Sequence, residues 1–220
     1  GSCTDCRRYQ QELRAGNITE NEWYDLQDCI VRSPGHCMTM GTASTMAAMV
    51  EAMGMALPGN ACIPAVDSRR YRLAESAGHR IVSLAQEDIR PSRFLTETAF
   101  QNAVKVMHAI GGSTNALIHL TAIAGRVGIN LPLDLFDELS RSTPFILDLK
   151  PSGQFLMEDF YYAGGLAALM ERISSLLDLE APTVMGQSIG QTIAGAEVHN
   201  TKVIRSLDDP LDIEGGLAVL

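Results

Sequence analysis

Residues 35–45 place a cysteine beside a predicted helix start. They read GHCMTMGTAST, so Cys37 and Thr39, a possible substrate- or anion-loop residue, lie between two glycines and ahead of a run rich in Thr and Ser. A helix N-terminus presents unpaired N–H groups and the positive end of the helix dipole, which stabilise a thiolate or a bound anion. A thiolate is also the form of cysteine that ligates iron or zinc. Taken alone, Cys37 is more simply a small buried cysteine in a tight loop, and both interpretations stay open.

A second candidate loop lies at residues 109–115, with the sequence AIGGSTN. Its two glycines permit close approach of the backbone to a ligand, and Ser113, Thr114 and Asn115 supply hydroxyl and amide groups at another helix start. Such a loop suits a carboxylate or a phosphate. Helix caps are far commoner than anion sites, however, and no lysine of the P-loop type follows.

A third candidate follows the best strand prediction, residues 145–149. The next four residues read KPSG and include Ser152. Folds of the α/β class bind ligands in loops at the carboxyl ends of strands, so Ser152 is a possible substrate-loop residue. A simple turn has the same composition and is the alternative.

The other residues that could do chemistry favour structural roles. Cys3 and Cys6 have the spacing of half a zinc site, but no second pair completes it, and five cysteines without a secretory signal indicate reduced thiols. Glu158 and Asp159 could bind a metal but more simply form a solvated helix face. No HExxH or GxGxxG motif is present. Three histidines on predicted helices are expected in the core or on the surface rather than as ligands: His79, His108 and His119.

Composition excludes several classes of protein. The chain has 220 residues, of which 46% are hydrophobic, and a formal net charge of −9. The acidic balance disfavours nucleic-acid binding, which needs a cationic surface. No apolar run reaches the ~18 residues of a membrane span, and the first residues lack a signal-peptide pattern. We expect an acidic globular protein of the cytoplasm that binds neither nucleic acid nor membranes.

Helical periodicity dominates the sequence and predicts the helices that must position these loops. Capping residues mark several helix starts, of which Thr19 with Glu22 is the clearest. Residues 145–149 and 201–205 are strand candidates. We therefore predict an α/β fold that is predominantly helical with a few short strands. The predicted helices cover about residues 5–14, 20 to near 33, 42–55, 68–87, 96–110, 113–124, 133–141 and 155–178.

Taken together, these segments resemble the dihydroxyacid dehydratase/6-phosphogluconate dehydratase family of hydro-lyases. The similar strings are GHCMTMGTASTMAAMVEAMGMALPGNACIPA, LTETAFQNAVKVMHAIGGSTNALIHLTAIA, LKPSGQFLMEDFYYAGGL and VIRSLDDPLDIEGGLAVL, which cover about residues 35–220 in order. Details such as MGTASTM and MGQSI look most like the sugar-acid branch, which includes arabinonate and xylonate dehydratases. The dihydroxyacid dehydratases of branched-chain amino-acid biosynthesis are the close alternative.

The resemblance implies removal of water from a 2,3-dihydroxy carboxylate to give a 2-keto-3-deoxy acid. It implies an iron–sulfur cluster held by three cysteines (2Fe–2S rather than 4Fe–4S), with Mg2+ and a serine base. Hydroxide is a poor leaving group and the C2 proton is weakly acidic, so an electrophile and a base must act together. Of this machinery only Cys37 matches, as the third cluster cysteine. The segments with the other cluster cysteines, most Mg2+ ligands and the catalytic serine match nothing here, so no catalytic residue is assigned.

We therefore expect a fragment of a longer enzyme, from the second half of the N-terminal domain of the dehydratase fold. Residues 1–34 would be a helical N-terminal segment, residues 35–205 the second half of that domain, and residues 206–220 the start of the connection to a C-terminal β-rich domain. The 220 residues alone should hold no intact cluster and be inactive. The resemblance implies that the longer enzyme is a homodimer or homotetramer acting on a small hydroxy acid.

Two alternatives from other classes stay open. A stand-alone, noncatalytic module, encoded by a truncated gene, would bind a partner or an acidic metabolite through the GGSTN loop, and flanking coding sequence would argue against it. A zinc or redox protein would use Cys3 and Cys6. Replacement of both by Ser without loss of metal or fold would exclude that alternative.

Overall fold

The computed structural model describes residues 2–30 and 33–218. Within these ranges helices dominate and extended segments pair only briefly, so the predicted, predominantly helical fold class is confirmed. Two short 3-10 helices lie at Pro91–Arg93 and Ser174–Leu176. The α-helices of these ranges are α1 (Cys3–Arg14), α2 (Glu20–Ile30), α3 (Thr42–Ala52), α4 (Ser68–Gln86), α5 (Glu97–Ala109), α6 (Asn115–Arg126), α7 (Leu133–Ser142), α8 (Met157–Tyr162), α9 (Gly165–Arg172) and α10 (Ile189–Ile193).

Side-chain caps begin the first helices. At α2, Thr19 Oγ1 accepts a hydrogen bond from Glu22 N while Glu22 Oε2 accepts one from Thr19 N, which is the predicted capping box. α1 starts earlier than predicted because Ser2 and Asp5 form a second capping box. The predicted end of α2 falls partly on residues 31–32, which lie outside the described residues.

Helix α5 is the centre of the hydrophobic core. Its face with Phe100, Val104 and Met107 is fully buried, as the spacing predicts, and it packs against α3, α6 and α7. Helix α3 contributes Met49 and Met53, which are also buried. Each such side chain contributes about 1.5–3 kcal/mol when it leaves water. The two helices are therefore held in place by the core, and they fix the positions of the loops at their ends.

The predicted strand at residues 145–149 is extended but forms isolated bridges instead of a continuous ladder. Each bridge uses a different segment of the chain, so no partner strand continues beside it within the described ranges. The second strand candidate, residues 201–205, supplies one bridging residue and is otherwise mostly a turn. The bridges join Phe145 to Asp212, Leu147 to Ile204, and Leu149 to Phe155.

Helices α1 and α2 form a hairpin at the periphery. Among its described residues, α2 has none that is buried. An ion pair ties α1 to the rest of the chain, with Lys150 Nζ 3.1 Å from Asp5 Oδ1. The hairpin is therefore held by polar contacts more than by burial of apolar surface.

Helix α4 is also peripheral. It has 19 residues, of which Leu84 is its buried residue, and arginines interrupt its apolar positions. Arg80 reaches from α4 to the Val184 carbonyl, which attaches the helix near its C-terminal end. None of the helices within residues 2–30 and 33–218 is long and apolar enough to cross a membrane.

Candidate functional site

Cys37 lies in the loop before α3, which we call the cysteine loop (residues 35–41). Its Sγ is 3.2 Å from Thr39 Oγ1. A Cβ built on Gly41, the N-cap of α3, would lie 3.8 Å from the same sulfur. The sulfur therefore sits at the N-terminus of α3, as the sequence predicts. The alternative of a buried cysteine is wrong, because Cys37 is exposed.

The GGSTN loop meets the same helix end. Asn115 Nδ2 donates to Thr42 Oγ1 at 2.8 Å, and the hydroxyls of Thr42 and Ser113 lie 3.0 Å apart. The backbone N–H of Ser113 donates to Thr45 Oγ1 at 3.0 Å. Gly112 permits this approach, since a Cβ there would lie 2.9 Å from Thr45 Cγ2. Two loops that are distant in sequence thus form one cluster of hydroxyl and amide groups.

The N-termini of α3 and α6 converge at this cluster. Gly41, the N-cap residue of α3, has no side chain to cap its helix, whereas at α6 Ser113 Oγ accepts from Asn115 N at 3.3 Å. The helices have 11 and 12 residues, long enough for each to present a positive dipole end. Two such ends next to the Cys37 sulfur favour negative charge at this point, whether on a thiolate or on a bound anion.

The third candidate loop contacts the cysteine loop through backbone atoms. Met40 N donates to Lys150 O, and Met157 N donates to Met38 O, each at 2.8 Å. Ser152 is exposed in the turn between these two contacts. No described hydrogen bond joins its side chain to the hydroxyl cluster. The segment therefore positions the cysteine loop, and a role of Ser152 in binding substrate stays a prediction.

A carboxylate that the sequence analysis missed shapes this third loop. Asp148 is 7% exposed, and its Oδ1 accepts from Gln154 N at 2.6 Å. A Cβ on Gly153 would lie 2.1 Å from that oxygen, so only glycine fits there. An aspartate shortly before Pro-Ser-Gly is typical of a turn closed by its own side chain, and this signal could have identified Asp148.

A buried carboxylate lies at the other end of α3. Glu51 is 7% exposed, and its two oxygens accept from Gly59 N and Ala61 N at 2.8 and 2.7 Å. Burial raises the pKa of Glu51 to about 7, while the two N–H groups and the charge of Arg70 oppose the shift. Burial also raises the pKa of the Cys62 thiol, which makes Cys62 a protonated core cysteine. Glu51 had a signal in the sequence, as a lone charged residue within an apolar helix.

The three helical histidines lie outside the cluster, and their predicted core or surface positions are confirmed. His79 and His119 are exposed, whereas His108 is 1% exposed. Burial lowers the pKa of His108 to about 4, and the Phe136 backbone opposes this shift without reaching hydrogen-bonding geometry. Neither ring nitrogen of His108 has a partner among the described residues.

The other candidate metal groups are not assembled either. Asp159 lies in the first turn of α8, where its Oδ2 accepts from Leu156 N, so it helps to cap the helix. Cys6 is partly buried, and the side chain of Cys3 lies outside the described part of the chain. Within that part, no three or more His, Cys, Asp or Glu side chains are arranged to hold a metal ion.

Among the described residues, Cys37 is therefore the one candidate thiolate ligand for the iron–sulfur cluster that the family resemblance implies. Cys37 fits a single iron ligand position, because it is exposed and lies beside two positive helix ends that favour its thiolate form. The hydroxyl and amide groups of Thr42, Ser113 and Asn115 are harder, polar groups, which suit hydrogen bonds with the oxygens of a substrate. A complete ligand set needs further thiolates from residues other than those described.

The chain is similar in sequence to known dehydratases. The chain matches the model of the family "Dihydroxy-acid/6-phosphogluconate dehydratase N-terminal" over residues 1–192, which includes residues 1–34, where the sequence analysis found no similar string. It is 49% identical to L-arabonate dehydratase of Azospirillum brasilense and 47% identical to L-arabinonate dehydratase of Rhizobium leguminosarum, in each case over 100% of the chain. It is 44% identical over 94% of its length to dihydroxy-acid dehydratase of Caldanaerobacter subterraneus. The chain spans 38% of the length of each of these relatives. With a match over most of its residues, the chain belongs to the dihydroxy-acid/6-phosphogluconate dehydratase N-terminal family.

Proposed function

We propose that this chain is part of a dehydratase that removes water from a 2,3-dihydroxy carboxylate and forms a 2-keto-3-deoxy acid. One observation carries the proposal. The Cys37 sulfur lies at the N-terminus of α3, whose N-cap residue Gly41 has no side chain, and the contact between Thr42 and Ser113 brings the start of α6 to the same helix end. A soft metal ligand and a site for negative charge are thereby placed side by side, which suits a metal-assisted reaction of an acid.

In this proposal Cys37 holds one iron of an iron–sulfur cluster. When bound, the cluster supplies a Lewis acid that polarises the departing 3-hydroxyl group. The N-terminus of α3, which has no side-chain N-cap, stabilises the negative charge of the substrate. Thr42, Ser113 and Asn115 hold the two helix ends at a fixed separation through their mutual hydrogen bonds. The remaining cluster cysteines, the Mg2+ ligands and the base come from parts of the protein outside these 220 residues.

We further propose a sugar acid as the substrate. The two relatives named as arabonate or arabinonate dehydratases match the whole chain at 49% and 47% identity, whereas the dihydroxy-acid dehydratases match 94% of it at 43–46%. Turnover of aldonates should therefore exceed turnover of 2,3-dihydroxy-3-methyl acids when both are offered to the full-length protein. A preference for the branched acids would assign the chain to the other branch.

The experiment that tests the proposal compares Cys37→Ala with Cys29→Ala in the full-length protein, purified without oxygen. Both cysteines are exposed, so the pair is matched for surface position. Iron, sulfide and keto-acid formation are measured in each. Cys37→Ala should lose the cluster and dehydration, while Cys29→Ala should keep both.

Two results would contradict the proposal. Retention of iron and of turnover by Cys37→Ala would remove the cluster assignment. Dehydration by the 220-residue chain alone would show that the missing ligands are not needed.

A further inference from the structure

The hydroxyl of Thr39 contacts the Cys37 sulfur. Thr39 Oγ1 and Cys37 Sγ are 3.2 Å apart, within the range of a hydrogen bond to sulfur. Thr39 is 6% exposed, so water competes little for its hydroxyl. The contact spans two residues of one loop and does not depend on a distant segment.

The backbone of Thr39 is held in place independently of that contact. Its carbonyl accepts from Gly41 N at 2.8 Å and from Ser44 Oγ at 2.9 Å. Both donors belong to the start of α3, which rests on the buried core. The hydroxyl is thus presented to the sulfur by a rigid element.

The direction of the hydrogen bond follows from the chemistry of the sulfur. In a thiol either atom can donate. A sulfur bound to iron carries no proton, so the hydroxyl of Thr39 must then be the donor. Hydrogen bonds to ligand sulfurs stabilise the reduced state of iron–sulfur clusters and orient the ligand.

We propose that Thr39 is a positioning residue that donates a hydrogen bond to the Cys37 sulfur and thereby raises the reduction potential of the cluster. This inference rests on the proposed function, because it needs Cys37 to be a cluster ligand. It reassigns Thr39 from a possible substrate-loop residue to a residue that acts through Cys37.

The test uses the full-length protein loaded with its cluster and compares Thr39→Val with Thr39→Ser. Valine keeps the volume and branching of threonine without the hydroxyl, and serine keeps the hydroxyl. Reduction potentials are measured by titration followed by electron paramagnetic resonance, and iron–sulfur stretching bands by resonance Raman spectroscopy. Thr39→Val should shift the potential to more negative values and change the stretching bands, and Thr39→Ser should restore both toward the wild type.

Each outcome either supports or overturns the role of Thr39 as a hydrogen-bond donor to the Cys37 sulfur. An intact cluster with unchanged potential and bands in Thr39→Val overturns the inference. If Thr39→Val loads no cluster, Thr39→Ala provides a smaller variant without the hydroxyl. Loss of the cluster from Val and Ala but not from Ser supports the donor role, and loss from all three overturns it. Retention of the cluster by Cys37→Ala defeats the proposed function itself, whereas a failure confined to the Thr39 variants leaves that function intact.

Discussion

The side-chain hydroxyls of Thr42 and Ser113 lie 3.0 Å apart although 71 residues separate them in the chain. Thr42 begins α3 and Ser113 lies two residues before α6, so the contact joins two helix starts. Asn115 Nδ2 adds a second bond to the same Thr42 oxygen. Together with Thr45 Oγ1, which accepts from Ser113 N, the Thr42 hydroxyl thereby holds the two helix starts together.

Replacing Thr42 by Val should loosen this junction. The change removes the oxygen that contacts Ser113 and Asn115 while it preserves shape. We expect the free energy of unfolding of the 220-residue chain to fall by about 1 kcal/mol. Turnover of the full-length protein should fall by about 10-fold or more, because a small displacement of reacting groups is costly. Urea unfolding and a keto-acid assay measure the two effects.

The control is Thr201→Val at an exposed position in a turn. It should change neither quantity appreciably. Equal turnover in Thr42→Val and the wild type would show that the junction of the two helices does not matter for the reaction.

Replacing Gly153 by Ala should disturb the turn that supports the cysteine loop. The added Cβ would lie 2.1 Å from Asp148 Oδ1 and 2.7 Å from Leu149 N, and backbone atoms cannot move aside cheaply. We expect a loss of about 1–3 kcal/mol in the free energy of unfolding, as for other overpacked sites. Urea denaturation provides the measurement.

Gly125→Ala is the matched control for Gly153→Ala. Gly125 lies within α6, and a Cβ there would meet nothing within 4 Å. Alanine favours the helix over glycine, so this change should raise the free energy of unfolding by about 0.5–1 kcal/mol. If the two alanine variants were equally stable, the steric argument at Gly153 would be refuted.

Glu51 should give the stability of the protein a specific pH dependence. Its pKa is about 7 when folded, raised by burial, against an ordinary value of 4.5. The pKa of Glu51 is higher in the folded than in the unfolded protein. Its contribution to the free energy of unfolding is therefore fully present below about pH 4.5 and is lost as pH rises through 7. The shift corresponds to a difference on the order of 3 kcal/mol. Glu51→Gln should therefore flatten the decline in stability between pH 4.5 and 7.

The comparison uses the slope of the free energy of unfolding against pH, since Gln also changes one hydrogen bond at every pH. Glu138→Gln at an exposed position of α7 is the control and should leave the slope unchanged. His108, whose pKa is lowered by burial, contributes equally to all variants and cancels in the difference. A slope that is identical in Glu51→Gln and the wild type would contradict the assignment.

The helices could be predicted because their signals are local. Thr19 with Glu22 identifies the start of α2 from four adjacent residues, and the apolar spacing of α5 predicts its buried face. The same kind of signal was overlooked at α10, where Ser188 and Gln191 form a capping box. Short helices escape periodicity arguments, since five residues complete little more than one turn.

The strand pairings and the geometry of the candidate site could not be predicted, because they depend on contacts between segments that are distant in the sequence. The strand at residues 145–149 was recognised as extended, but its bridging partners lie as far away as Asp212, and nothing local specifies them. The candidate loops were found from their glycines and capping residues. Their convergence at α3, and the roles of Asp148 and Glu51, follow from the packing of α3 against α5 and from burial, which a linear pattern does not encode.

The backbone bonds of Met38 and Met40 to Met157 and Lys150 have an evolutionary consequence. Amide and carbonyl groups are common to nearly all amino acids, so these bonds to the cysteine loop do not require particular side chains, although Met40 and Met157 are also buried in the core. Exposed residues of the cysteine loop can then change without displacing Cys37. If the proposed function holds, the acid that the site accepts can vary while the metal ligand stays in place.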